Sequence, residues 1–172
     1  MRRMPRWGMI CCLTLEGVAL AVWVGGMIVL SGAVIPAVFN TFGGQDSGGM
    51  FLTRAFEGYH RFIIGASGIL TVALLGRWWS GEPRVMVRVS EIIVLVMMVM
   101  IAGVIILVLH PDAAALQAQA FATKDEGAKK AAFEAFFRVL LPIRSLYMIS
   151  LVLGLLLIGI RAKRMLDDGR PS

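Results

Sequence analysis

The apolar positions of this chain gather into four long runs. Gly17–Asn40 holds 24 residues without a charge, Phe62–Gly76 holds 15, and Ile92–His110 and Ser145–Ile160 complete the set. Runs of this length and uniformity predict membrane-crossing helices, because only a helix satisfies its own backbone inside lipid. The second run is short. At 1.5 Å per residue it reaches about 22 Å, so its helix is expected to continue past Arg61 and Arg77, whose long side chains snorkel outward. Trp78 and Trp79 then fall where an aromatic belt belongs. With such extensions the spans lie at about 15–39, 61–79, 90–110 and 143–161, in a single transmembrane domain covering residues 1–172. The expected fold class is all-α, an integral membrane four-helix antiparallel bundle with a helical extramembrane cap between the third and fourth helices.

The connections refine this picture. Thr41–His60 opens with a glycine-rich stretch from Gly43 to Gly49, and Met50–Tyr59 reads as a helical lead into the second span, capped by Asp46 or Ser47. Pro111–Leu141 is the largest piece outside lipid. A helix is expected to start at Pro111-Asp112 and run through the Ala- and Gln-rich Ala113–Ala122. After a polar break at Lys124–Gly127, Lys129–Leu141 reads as an amphipathic helix with Ala132, Phe133, Phe136, Phe137 and Leu140 on one side. Pro36 is expected to kink or end the first helix near the outer surface.

Composition agrees. Hydrophobic residues make up 58% and charged residues 16%, whereas soluble domains run nearer 45–50% and about 25%. That balance excludes a secreted disulfide scaffold, a disordered tail and an ordinary soluble enzyme, and makes the lipid bilayer the first partner. The net charge of +6 comes from cations flanking the apolar runs, which reads as membrane orientation and not as nucleic-acid binding. Arg2, Arg3, Arg6, Arg77, Arg84, Arg88, Arg161, Lys163, Arg164 and Arg170 give 10 cations on one side, against 7 on the other, most of these in the long third connection. Both termini are therefore expected in the cytoplasm of a bacterial inner membrane. The first run continues through Val34, Ile35, Val38 and Phe39, longer than a signal peptide's apolar region, so it reads as a retained helix. Cys11 and Cys12 are adjacent, cannot bridge without strain, and read as buried or interfacial thiols; a redox or metal-handling pair is the alternative.

Candidate chemistry is sparse. Neither GxSxG, a phosphate loop nor HExxH occurs. Ser31, Ser67, Thr71 and Ser150 are the polar residues within the spans, and each can bond its own preceding turn. Glu16 reads as a headgroup-level acid near a helix amino terminus, with a proton relay as the sharper alternative. Gly17, Ala21 and Gly25 on the first helix, and Gly68 and Gly76 on the second, repeat at helical spacing and are expected at close helix–helix contacts. His60 precedes the second span and His110 follows the third, so an antiparallel layout puts both on the outer side. With Asp112 they form the candidate metal or haem site, although a histidine at an interface also serves as an amphipathic anchor.

Val24-Gly25-Gly26-Met27-Ile28-Val29, followed by Ala33-Val34-Ile35-Pro36-Ala37-Val38-Phe39, resembles the opening of the bacterial four-helix proteins grouped as domain of unknown function 4149, which are similar to eukaryotic transmembrane protein 205. His110-Pro111-Asp112-Ala113-Ala114-Ala115-Leu116 resembles the family's segment after the third span, and Phe133 with Leu153-Gly154-Leu155 its closing block. The resemblance covers about residues 15–160. It implies architecture more than activity, since the family has no established chemistry. Where the family often carries a histidine before the fourth span, this chain has Leu140, so no role for that histidine carries over. A weaker likeness to four-helix copper-resistance membrane proteins motivates the metal reading.

The expectation is a non-enzymatic integral membrane protein, an accessory or structural subunit held with other membrane protein subunits, with no charge buried in its spans. The alternatives are a transport or metal-handling protein and a haem-binding electron-transfer subunit, both using His60 and His110. The residues name no cofactor.

Overall fold

The computed structural model describes residues 6–42, 46–80, 87–122 and 126–168. Gly43, Gly44, Gln45, Lys124, Asp125 and the cations Arg2, Arg3, Arg84 and Arg170 lie outside the described residues, as do the side chains of Arg6, Asp46, Ser47, Lys129, Lys130, Phe133 and Phe137. Among the described residues the secondary structure is helical. The order is α1 (Arg6–Val29), a π-turn (Leu30–Val34), α2 (Ile35–Phe42), α3 (Asp46–Ser80), α4 (Val89–Val104), a second π-turn (Ile105–Leu109), α5 (His110–Ala122) and α6 (Glu126–Asp168).

These elements join into four rods long and apolar enough to cross a membrane: Trp7–Phe42, Gly48–Ser80, Val89–Ala122 and Glu134–Arg164. The first has 36 residues and is therefore about 54 Å long, well beyond a hydrocarbon core of about 30 Å. The cap is built from this excess. α5 and the first turns of α6 pack on each other as continuations of the third and fourth rods.

At Pro36 the rod continues and does not end, whereas a helix does begin at Pro111-Asp112 as expected: α5 starts at His110, in line with the third rod. A proline inside a helix lacks the amide donor, and its ring collides with the carbonyl four residues back. Each of these prolines follows a π-turn by two residues. The Ile35 amide bonds the Leu30 carbonyl, and the His110 amide bonds the Ile105 carbonyl, both across five residues. The wider turn carries the obstructed carbonyl away from the ring, so the rod continues. Pro142 lies inside α6.

Each rod contributes a fully buried residue to one core cluster: Trp23 from α1, Leu70 from α3, Met98 from α4 and Leu157 from α6. α1 packs on α3 and α6, and α6 on α4. The opposite faces carry large exposed apolar side chains, among them Phe62, Val72, Val96 and Leu107. This inside-and-outside distribution is what lipid contact allows, since acyl chains are as apolar as the core. Trp78 and Trp79 are exposed at the belt position.

The glycine positions need a further correction. Gly17, Ala21 and Gly68 are exposed, Gly76 is half-buried, and a methyl group built on Gly17, Gly25 or Gly68 meets nothing within 4 Å. The close approaches are one residue away or on another helix. A Cβ on Gly26 would lie 2.5 Å from a Tyr59 ring carbon, and one on Gly154 would lie 2.6 Å from a Val24 methyl. Four-residue spacing marked a face of α1, but the face turned to the neighbours is the one carrying Trp23, Met27 and Gly26.

Candidate functional site

Three features lie at successive depths of the bundle. The first is a buried ion network at the end shared by the amino-terminal part of α1 and the carboxy-terminal part of α6. Glu16 on α1 and Glu91 on α4 are 1% and 0% exposed, and Arg77 on α3 is 5% exposed. Arg77 Nη1 donates to both Glu16 oxygens at 3.1 and 3.0 Å and to Glu91 Oε2 at 3.1 Å. Arg161 Nη2 on α6 donates to Glu16 Oε1 at 2.6 Å, and Arg164 Nη1 lies 3.5 Å from Glu91 Oε1. Two carboxylates and three guanidinium groups thus tie all four rods together. The Arg161 Nε atom, 3.8 Å from Glu91 Oε2, is buried without a hydrogen-bond partner.

This overturns one expectation: charge is buried at the ends of the spans, with Glu16 enclosed by guanidinium groups at the level of Trp78 and Trp79. The physical reason is mutual neutralisation: an isolated carboxylate is costly in an apolar interior, whereas one held by two guanidinium groups is compensated. A sequence signal for the network existed. With alternating helix directions, Glu16, Arg77, Glu91 and Arg161 fall near one depth with alternating sign. Reading each charge only as the boundary of its own span hid their convergence.

The second feature is a polar chain across the middle of the bundle. The Trp23 indole Nε1 donates to Ser150 Oγ at 3.3 Å, and the Tyr59 hydroxyl donates to the Trp23 carbonyl at 2.5 Å. One turn of α3 carries Tyr59 and His60 side by side. His60 Nε2 shares a hydrogen bond with the Tyr147 hydroxyl at 2.5 Å, and its ring meets His110 edge to face with centroids 4.6 Å apart. Phe56, one turn before His60 on α3, also packs on Tyr147, with ring centroids 5.6 Å apart.

The structure therefore brings His60 and His110 together, as the antiparallel layout implied, but not in the environment expected. His60 is 5% exposed, inside the bundle and not anchored at an interface. Asp112 is exposed and joins no cluster, and among the described residues no group of three His, Cys, Asp or Glu could hold a metal ion. The two rings are also not spaced as axial haem ligands in this arrangement. Axial imidazoles on opposite faces of an iron, with nitrogens near 2 Å from it, have centroids roughly 6 Å apart with a flat ring between them. Rings in edge contact at 4.6 Å leave no such gap. Tyr147, on the fourth span, is the partner missed from sequence. Cys11 is exposed and Cys12 half-buried, and both are free.

The third feature is a cavity of about 610 Å³ on the side of the histidine pair away from the ion network, lined by α1, α2, α3, α5 and α6. His110 and Tyr147 belong to its wall, with apolar side chains such as Met27, Val38, Phe56 and Leu140. Further out, Thr53 and Gln117 are hydrogen-bonded across it from α3 and α5. Gly49 lies beside them because a Cβ there would stand 2.8 Å from Gln117 Nε2.

Residues 18–122 match the family model described as domain of unknown function (DUF4149). That region covers the first rod from Val18 onward and the second and third rods with His60, Arg77, Glu91 and His110, and stops before α6. No curated protein and no solved structure matches the chain.

Proposed function

The chain belongs to the DUF4149 family, and from that premise we propose that this multi-pass membrane protein is a non-enzymatic accessory subunit that serves a larger membrane assembly as a rigid scaffold. One observation carries the reading: the buried charged groups of the span ends are spent on one another. Glu16, Arg77, Glu91 and Arg161 join four rods, and Arg164 adds a longer contact. Likewise His60 is engaged by Tyr147 and Trp23 by Ser150. Such groups fasten the helices to each other, and a hydrophilic substrate path would instead call for polar groups lining an open route. Other membrane protein subunits are the partners of this reading, and nucleic acid is not.

The test is native electrophoresis of membranes solubilised in a mild detergent, with the tagged chain followed by immunoblot. The protein is expected in a complex well above its 18.7 kDa, and His60→Ala should remain in it. A free subunit carrying stoichiometric metal, or a haem absorption band, would replace the scaffold reading with the metal-handling or electron-transfer one.

The location proposed is a bacterial inner membrane with both termini in the cytoplasm. The exposed Arg88 and Lys163, beside the basic residues of both terminal segments, support it. Arg77, Arg161 and Arg164 count for less, because acids neutralise them within the bundle. A reporter fused after Ser172 should be active only if it is of the cytoplasmic type; activity of a periplasm-dependent reporter there would reverse the orientation.

A further inference from the structure

We propose that the outer cavity is a binding site for one long-chain carboxylate, its acyl tail among the inner apolar residues and its head beside Arg144. At about 610 Å³ the cavity lies within the 300–1,000 Å³ of small-molecule sites. Its wall is mostly apolar, with a few polar side chains, among them Thr53, Gln117 and Arg144. Met27, Leu30 and Leu151 line the inner part, near the Tyr147–His60–His110 layer. Gln117 lies seven residues beyond His110 along the rod, and Thr53 seven before His60, so their pair stands about 10 Å further out. A mostly apolar guest with a single polar end matches a wall of this composition.

The character of the head follows from charge. Arg144 is exposed on the cavity wall and forms no ion pair with any described residue. Neither Asp nor Glu lines the cavity among the described residues. One unpaired guanidinium and no acid favour a single negative charge, and the planar fork of arginine suits a carboxylate. An independent observation points the same way. Gln117 is 5% exposed, and its carbonyl oxygen is engaged by the Thr53 hydroxyl. Its amide nitrogen has no hydrogen-bond partner among the described residues. An unpaired amide donor on a cavity wall is free to bond a guest, and an anionic oxygen is a strong acceptor.

The probe is palmitate carrying a photoreactive diazirine in its chain, presented to the whole protein in detergent micelles, with labelled peptides mapped by mass spectrometry. Saturable labelling within the α5 and α6 walls is expected, competed by unlabelled palmitate and at least tenfold more weakly by hexadecanol. Arg144→Gln, at an exposed position without an ion-pair partner among the described residues, should weaken palmitate about tenfold. Ala114→Trp, which fills the cavity, should abolish labelling while thermal unfolding shows a folded protein. Equal competition by hexadecanol, or no effect of Arg144→Gln, would overturn the anionic head. Hexadecyl phosphate competing better than palmitate would overturn the carboxylate. Labels scattered over the lipid-facing surface would overturn the site itself, a readout that needs no cavity-filling variant.

Discussion

Glu16→Ala is expected to destabilise the protein by about 3–5 kcal/mol, the range for breaking a buried ion pair from one side. The carboxylate accepts from Arg77 and Arg161 together. Removing it leaves two guanidinium groups crowded in a site with one acid fewer, and Arg161 already has a buried Nε without a bond. The loss concerns uncompensated charge more than the attraction itself, so Glu16→Gln, which keeps shape and an acceptor, should fall between the wild type and the alanine variant. The reference is Glu57→Ala. Glu57 pairs with Arg54 at 3.4 Å, but the arginine side chain is 82% exposed, and a pair that open to solvent or headgroups contributes about 0–1 kcal/mol. Thermal unfolding in detergent, followed by tryptophan fluorescence, gives the order. Equal shifts for the Glu16 and Glu57 alanine variants would mean that the network does not hold the rods together.

The second large effect separates two adjacent glycines. Gly26→Leu should cost about 1–3 kcal/mol or more, as overpacking does, because a Cβ there enters the Tyr59 ring at 2.5 Å. The ring cannot swing aside freely, since its hydroxyl is bonded to the Trp23 carbonyl and the residue is buried. Gly25→Leu meets open space within 4 Å and gains helix propensity of up to about 1 kcal/mol, so it should be neutral or mildly stabilising. Detergent unfolding midpoints of the two variants decide this. A Gly25 variant worse than the Gly26 variant would mean that α1 presents a different face to α3.

Much of the architecture was legible because it follows from transfer free energy, which depends on composition along the chain and on little else. An apolar run bounded by Arg61 and Arg77 must be a helix in lipid wherever its neighbours lie. The alternation of helix direction then put His60 and His110 at one depth without any knowledge of packing. What failed was rotation about each helix axis. Lipid is as apolar as the core, so the hydrophobic pattern does not say which face of α1 turns inward. Gly25 and Gly26 are equivalent by pattern, and only the position of Tyr59 distinguishes them. The continuation of the rods through Pro36 and Pro111 was hidden for another reason, because a five-residue π-turn leaves no mark in hydropathy.

The candidate site divides along the same line. Residue types and order alone determined that this is a multi-pass helical membrane protein and that its histidines share a level. Tertiary structure decided which polar groups meet. It set Glu16 and Glu91 among arginines from two other rods, gave His60 to Tyr147 on the fourth span, left Asp112 outside, and opened a cavity between the outer halves of the helices. Residues 61, 87 and 145 positions apart come within hydrogen-bond distance in these contacts. Such convergence depends on the rotation and tilt of each rod, which side-chain packing sets and one-dimensional periodicity does not record.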